Sequence, residues 1–172
     1  MMLSGSVSPV RTTVVLSVVA IVLVGAFVWG WKSLTKPLPG KADASVCVDT
    51  PVSKGDKIFP AQVVVTVLNA SDREGLAART ISALTDEGFS QGASTNAPKQ
   101  AGVPRVQIWT TTPHSPAVRL VASWLHGPKI IKRATTHPGV VVVVGEKFPE
   151  VSGGKKMVKA TFDTTICSPT VD

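Results

Sequence analysis

The sequence of 172 residues is poor in aromatic residues, charged residues and cysteines. Aromatic residues make up 5% and tyrosine is absent, which argues against an aromatic-lined channel for single-stranded nucleic acid. Charged residues make up 17% and hydrophobic residues 44%, so the chain is too apolar to be disordered. The length allows one domain with extra segments, which makes a large catalytic machine an unfavourable interpretation.

Motifs that carry catalysis or bind metal are also missing. The three histidines, His114, His126 and His137, form no HExxH pair and have no cysteine at zinc-binding spacing. No GxSxG or P-loop pattern occurs. Asp86 and Glu87 are adjacent on a predicted helix and therefore point in different directions. We predict no catalytic residue, no metal site and no cofactor.

The apolar excess is concentrated in residues 13–31, TVVLSVVAIVLVGAFVWGW. A helix of this length at about 1.5 Å per residue spans roughly 28 Å, close to the hydrocarbon thickness of a bilayer. Trp29 and Trp31 stand at one end, where aromatic residues favour the membrane interface. We predict an N-terminal tail over 1–12 and a single transmembrane helix over 13–31.

A cleaved signal peptide is the alternative interpretation of this apolar run. Ala42-Asp43-Ala44 has the small-x-small form of a cleavage site. However, the run is longer than the usual apolar region of a signal peptide, which is about 7–15 residues. An uncleaved anchor in the plasma membrane is therefore favoured.

Two features disagree about the side of the membrane. Lys32, Lys36 and Lys41 follow the apolar run, and the positive-inside rule would keep the rest of the chain in the cytoplasm. Cys47 and Cys167 bracket everything after the linker, as the cysteines of an extracytoplasmic disulfide would. Two unrelated free thiols are the alternative. We weigh the disulfide above the charge bias and predict an extracytoplasmic C-terminal part.

The rest of the chain divides into three segments. Residues 32–60 are predicted to be a linker and irregular lead-in, and residues 149–172 a tail tied back by the disulfide. Between them, residues 61–148 are predicted to form an α+β open-sheet sandwich of order β-α-β-β-α-β-β, with both helices on one side of the sheet. The tail alternates apolar and polar residues over 158–166, which indicates an added edge strand. The predicted strands are 63–68, 89–94, 105–111, 129–134 and 139–144, and the predicted helices are 75–87 and 116–125.

The turn between the first strand and first helix is the most distinctive short motif. Ser71 followed by Glu74 fits a capping box, and Gly75 is expected to permit close packing of helix on sheet. A helix N-terminus can also bind an anion. Because Asp72 and Glu74 would repel an anion there, we favour the structural role.

Basic residues offer a better indication of binding. The net charge is +7, and one cluster consists of Lys129, Lys132 and Arg133. Attraction to anionic lipid head groups or phosphate-rich polymers would follow, although solubilising charge explains such residues equally well. A second cluster consists of Lys155, Lys156 and Lys159.

A tryptophan adds a possible platform near the first cluster. Alternation places Trp109 on one strand face with Arg105 and Gln107. An exposed tryptophan there would offer a platform for a sugar or a partner protein, unless the tail covers it. The candidate binding surface comprises Arg105, Gln107, Trp109, Lys129, Lys132 and Arg133.

The sequence VVVTVLNASDREGLAARTISALTDEGF resembles the opening of the LytR C-terminal domain family. In that family a strand leads to an asparagine, small residues, and a Gly-Leu-Ala that opens a helix ending in Gly-Phe. The later VVVVVGEKF resembles the family's closing strand, and the resemblance covers about residues 61–148. The positions of the strand–helix motif are Asn69, Ser71, Gly75 and Leu76.

The whole layout is similar to the stand-alone, membrane-anchored members of this family in actinobacteria. This resemblance implies a non-catalytic module that supports envelope and cell-wall integrity by binding a wall polymer, peptidoglycan, lipid or an envelope protein. An accessory of a wall-polymer phosphotransferase, with weak activity of its own, is the alternative. A cytoplasmic transcriptional regulator has no helix-turn-helix pattern to support it, so nucleic acid is not an expected partner. The chain departs from the subgroup in having two cysteines where four are expected.

Overall fold

The computed structural model describes residues 14–15, 19–20, 22–23, 47–98 and 101–170. The chain divides into two units, Met1–Ala42 and Asp43–Asp172. The described residues of the first unit are helical, and their large apolar side chains are exposed. Most of the predicted transmembrane helix 13–31, all of the tail 1–12 and most of the linker lie outside the described residues. Among those that are described, no helix is both long and apolar enough to cross a bilayer.

The described residues of the second unit form nine strands, two α-helices and a short 3-10 helix at Pro60–Gln62. Its middle part has the predicted order β-α-β-β-α-β-β, so the α+β class is confirmed. The elements are β1 Val48–Val52, β2 Lys57–Ile58, β3 Val64–Asn69, α1 Leu76–Asp86, β4 Ser90–Asn96, β5 Val106–Thr110, α2 Pro116–Ala122, β6 Lys129–Lys132, β7 Val140–Val144, β8 Val158–Lys159 and β9 Thr164–Ser168.

Five strands form the main sheet in the order β4-β3-β7-β5-β6. Strands β4, β3 and β7 run parallel, whereas β5 and β6 are parallel to each other and antiparallel to β7. Helix α1 connects the parallel strands β3 and β4, and α2 connects β5 and β6, as parallel pairs require a crossover. The C-terminal ends of β5 and β6 therefore lie at the same edge of the sheet.

Every residue of β3 and β7 is buried, as the continuous β-branched sequences predict for central strands. Val65, Val67 and Val142 belong to the core that also contains the apolar side chains of α1 and α2. On the opposite face, Leu68 and Val143 pack in a second cluster. This second cluster is closed by Val103 and the half-buried Ala97 and Ala101, so the face without helices is covered by the segment that precedes β5.

The structure corrects two predictions outside the main sheet. Residues 47–60 are not irregular, because they contain β1 and β2. The tail does not add an edge strand to the main sheet: β9 pairs with β1, and β8 pairs with β2, each in a separate antiparallel two-stranded sheet. Hydrophobic alternation predicted the extended conformation of the tail but carries no information on its partner strand.

The predicted disulfide between Cys47 and Cys167 is confirmed. The two residues are 120 positions apart in sequence, and their Cα atoms are 5.3 Å apart. The pairing of β1 with β9 brings them together, since Asp49 lies directly opposite Cys167 in the register. The disulfide therefore closes a loop that contains the entire main sheet.

Candidate functional site

A polar cleft of about 420 Å³ opens where β5 and β6 end, beside the start of α2 and the strand β9. Polar residues dominate its wall because the chain leaves each of these strands through threonine-rich turns. Arg133 contributes a positive charge and Asp49 a negative charge, and His137 stands on the same wall. The hydroxyl groups of the lining come from Thr110, Thr111, Thr112, Ser115, Thr135 and Thr165.

Arg133 is fixed in this cleft by Trp109. The guanidinium carbon of Arg133 lies 4.0 Å from the centroid of the Trp109 ring, within the range of a cation–π contact. The backbone N–H of Arg133 donates to the carbonyl of Thr110, which extends the pairing of β6 with β5 by one residue. The hydrogen bond places the backbone of Arg133 at the carboxyl ends of the two strands, and the contact with Trp109 places its guanidinium group there.

Trp109 is buried, which corrects the expectation of an exposed platform. Its side chain is 4% exposed and packs in the second hydrophobic cluster. Its indole N–H donates to the side-chain oxygen of Gln107 at 2.8 Å. Alternation along β5 placed Trp109 on the correct face, but that face is covered by the segment before β5 and by Arg133.

The six residues of the candidate binding surface lie on or next to two adjacent strands, and the cleft brings together only two of them. Gln107 is aligned with Lys129, and Thr110 with Lys132, in the parallel pairing of β5 and β6. Of the six, only Trp109 and Arg133 line the cleft. Lys129 and Lys132 are exposed on β6, and Arg105 is exposed just before β5.

The strand–helix motif forms a second site, organised by Asn69. Its side-chain oxygen accepts hydrogen bonds from the backbone N–H of Ser71 at 3.0 Å and from the Ser71 hydroxyl at 2.7 Å. Its amide N–H donates to the carbonyl of Arg73 at 2.8 Å. Asn69 is 9% exposed, so these three bonds satisfy a nearly buried amide and fix the turn that follows β3.

The predicted capping box of Ser71 and Glu74 is wrong. Helix α1 begins at Leu76, and its N-cap residue is Gly75, which has no side chain to cap with. Gly75 has φ +69°, a left-handed conformation that L side chains rarely adopt, and this explains the glycine better than close packing does. The hydroxyl of Ser71 instead accepts from the N–H of Arg73 inside the turn.

Arg73 connects the two sequence motifs of the resemblance. Its guanidinium group donates to the backbone carbonyl of Phe148 at 2.9 Å. Phe148 is 2% exposed and ends the VVVVVGEKF segment. The groove of about 690 Å³ beside this turn is lined by Asp72 and Glu74, and none of the described residues that line it is basic. The hydrogen bonds of this motif therefore favour a structural role.

Comparison with family models matches residues 62–148 to the family described as LytR cell envelope-related transcriptional attenuator. The match covers just over half of the chain. The chain belongs to this family.

A solved structure is also similar to the chain. It is the soluble domain of a conserved hypothetical secreted protein from Mycobacterium marinum, with 26% sequence identity and a TM-score of 0.48. The similarity covers 60% of this chain and 80% of that chain. A comparison with curated proteins finds no match.

Within this LytR-family chain, sequence reasoning missed most of the cleft. The threonines at 110–112 follow a predicted strand, and polar residues at the carboxyl ends of parallel strands converge on one edge. This pattern could have identified Thr110 and Thr112 as candidate site residues. No local signal identifies Asp49 or Thr165, because they reach the cleft through the long-range pairing of β1 with β9.

Among residues 47–98 and 101–170, no group of three His, Cys, Asp or Glu side chains is placed to hold a metal ion.

Proposed function

We propose that this chain is a non-catalytic module of the cell envelope, anchored in the plasma membrane by residues 13–31 and placed outside it from the linker onward. It binds an anionic, hydroxyl-rich wall polymer in the Arg133 cleft and thereby supports envelope integrity. The observation that carries the proposal is the Arg133 guanidinium, fixed on Trp109 within a cleft lined by hydroxyl groups.

The chemistry of the cleft suits a polyol or sugar polymer joined by phosphodiesters. The guanidinium carbon of Arg133 lies over the Trp109 ring, and the exposed side chain has N–H donors that can reach a phosphate. The hydroxyls of Thr110, Thr112 and Ser115 can donate to and accept from the hydroxyls of a polymer unit. The Asp49 carboxylate accepts hydrogen bonds from such hydroxyls and also discourages a ligand of high charge density.

Three observations support the location. The family description names the cell envelope. A disulfide between residues 120 positions apart is typical of proteins in oxidising compartments. Residues 13–31 are uncharged and long enough to span a bilayer. The same layout, an apolar segment followed by this domain between two cysteines, supports a finer assignment to proteins like the actinobacterial envelope integrity protein Cei.

Binding of full-length protein in detergent micelles to poly(glycerol phosphate) tests the proposal. Arg133→Gln is expected to weaken binding about tenfold, because one charge-assisted pair of hydrogen bonds is lost. Lys132→Gln is the matched control: it removes the neighbouring positive charge, but Lys132 does not line the cleft. The control is expected to bind within about twofold of the unmodified protein.

Two results would overturn the proposal. Equal losses in Arg133→Gln and Lys132→Gln would show that total charge, not the cleft, attracts the polymer. Release of polymer from its lipid carrier by the purified full-length protein would instead favour the phosphotransferase accessory.

A further inference from the structure

Two lysines face each other directly on the small sheet formed by β2 and β8. Lys57 is paired with Lys159 in the antiparallel register, and both side chains are exposed. Ile58 and Val158, the neighbouring pair, are 2% and 5% exposed and therefore occupy the inner face. Like charges directly opposite each other destabilise an antiparallel pair. The arrangement costs stability in the protein alone, and an anion bound between the lysines would relieve that cost.

Exposed phenylalanines stand at both ends of this lysine pair. Phe59 follows β2 and is 47% exposed, and Phe162 follows β8 and is 40% exposed. Because the two strands run antiparallel, residues that follow them lie at opposite ends of the ladder. Phe59 shares the outer face with Lys57, since Ile58 between them is buried. We call Lys57, Phe59, Lys159 and Phe162 the β2–β8 surface.

The acidic residues that flank this surface in sequence, Asp56 and Asp163, each accept a hydrogen bond from a backbone N–H. A side-chain oxygen of Asp56 accepts from the backbone N–H of Ser53 at 2.8 Å. A side-chain oxygen of Asp163 accepts from the backbone N–H of Lys54 at 2.7 Å. Both carboxylates therefore hold turns. Asp86 and Glu87 share a shallow cavity with Lys156, which is why Lys156 is left out of the surface.

We propose that the β2–β8 surface docks on an anionic phospholipid bilayer. Lysines at the head-group level meet lipid phosphates, and the phenylalanine rings at the two ends of the lysine pair enter the interface, as basic and aromatic residues do in peripheral membrane segments. This surface is separate from the Arg133 cleft, because none of its four residues lines the cleft. The inference therefore goes beyond the polymer binding proposed above.

A facing lysine pair distinguishes this surface from β6, the other basic apolar strand. Ala160 donates to the carbonyl of Asp56 at 2.8 Å, and Gly55 donates to the carbonyl of Ala160 at 2.9 Å, so the ladder that holds the lysine pair continues beyond the two paired residues. Strand β6 also carries lysines and exposed isoleucines, but its lysines are aligned with Gln107 and Thr110 and not with other lysines.

Hydrogen–deuterium exchange of the full-length chain tests the proposal in two kinds of vesicle. One kind is pure phosphatidylcholine, and the other contains about 30% phosphatidylglycerol to supply the negative surface potential. We expect peptides covering residues 54–59 and 155–162 to exchange more slowly only with the anionic vesicles. Insertion of residues 13–31 occurs in both lipids, so a failure of the anchor and a failure of docking give different results.

Charge-reversal variants distinguish the contribution of the β2–β8 surface from that of the other basic residues. Lys57→Glu with Lys159→Glu is expected to abolish the protection, since each basic residue at an anionic surface raises the docked population about fivefold. The matched control, Lys129→Glu with Lys132→Glu, carries the same charge change on β6. In this control the protection of residues 54–59 and 155–162 is expected to remain. High salt should remove the protection from the unmodified protein, which gives a readout that does not depend on the folding of a variant.

Several results would overturn the proposal. One such result is equal exchange of residues 54–59 and 155–162 in the two kinds of vesicle. Another is a loss of protection in the β6 control as large as that in the Lys57→Glu, Lys159→Glu variant. If free glycerol phosphate produced the same protection in phosphatidylcholine vesicles, the lysines would form a site for a small anion and not a docking surface.

Discussion

The guanidinium group of Arg133 lies over the indole ring of Trp109, with its central carbon 4.0 Å from the ring centroid. This contact joins the first residue beyond β6 to β5 and covers a tryptophan that is otherwise held by the second hydrophobic cluster. It also determines where the positive charge of the cleft stands. Arg133 therefore has a binding role and a smaller packing role, and these two contributions can be separated by measurement.

Substitutions at these two residues are expected to differ in their effect on stability. Trp109→Ala removes a buried aromatic side chain and should lower the free energy of unfolding by about 3–5 kcal/mol. Arg133→Gln removes only the cation–π contact and should cost about 0.5–1 kcal/mol. Urea unfolding followed by circular dichroism measures both. If Arg133→Gln proved as costly as Trp109→Ala, a loss of polymer binding in that variant would no longer identify the cleft.

Asn69 should be a stability determinant of the turn before α1. Asn69→Ala removes three hydrogen bonds around a nearly buried side chain, so we expect a loss of about 2–4 kcal/mol. Asn96→Ala is the control, because Asn96 is aligned with Asn69 on β4 but is exposed. The control should stay within about 0.5 kcal/mol of the unmodified protein in thermal unfolding. Similar losses in the two variants would show that the hydrogen bonds of Asn69 are not what stabilises the turn.

The disulfide should contribute strongly to stability because it closes a loop of 120 residues. In the loop-entropy account, removing it costs about 5 kcal/mol. Cys47→Ser, Cys167→Ser and the double variant are expected to lose the same amount, since each removes the same bridge. Denaturant unfolding with and without reductant measures the loss. A double variant less stable than either single variant would show that the side chains also stabilise by packing.

Labelling of intact cells with a membrane-impermeant maleimide should report the side of the membrane. We expect labelling of Cys47 and Cys167 only after mild reduction, since the two are bridged and are proposed to lie outside. Cys47→Ser serves as the control, because it should expose Cys167 to labelling without reductant. Thiols that react only after lysis would place this part of the chain in the cytoplasm. That result would support the orientation that the positive-inside rule predicts from the lysine-rich flank.

Lys57→Glu should make the protein slightly more stable in solution. It replaces a like-charge pair across β2 and β8 by an opposite-charge pair, worth about 0.5–1 kcal/mol. Lys129→Glu is the control, because Lys129 is aligned with Gln107 and not with another lysine. Thermal unfolding without lipid measures the difference between the two variants. If Lys57→Glu were less stable than the unmodified protein, repulsion between Lys57 and Lys159 would not destabilise the fold as proposed.

Local patterns predicted the elements of the main sheet because those patterns depend on neighbouring residues only. The β-branched residues of β3 and β7 indicated buried strands, and the termination of α1 at Gly88 and Phe89 followed the expected geometry. There Gly88 has φ +93°, and the N–H of Phe89 donates to the carbonyl of Leu84 at 3.1 Å. The start of α1 near Gly75 was also predicted, but its capping box was not confirmed, because Ser71 bonds within the turn that Asn69 organises.

The candidate site was predicted less well than the fold. Alternation assigned Trp109 to a polar face of β5, but exposure depends on what covers that face. The cover comes from Val103, earlier in the chain, and from Arg133, which follows the next strand. Asp49 and Thr165 enter the cleft from the two ends of the domain. Contacts between distant segments leave no periodic signal in a sequence, which is why these residues were missed.

The sequence by itself determined the class of the fold, the order of β3 through β7 and the family resemblance. These follow from residue spacing, hydrophobic periodicity and motif residues, which are properties of short segments. Only the tertiary structure decided that β1 pairs with β9, that Trp109 is buried beneath Arg133, and that Lys57 faces Lys159. Strand partners and covering segments are selected by packing over the whole domain, and packing depends on residues far apart in the chain.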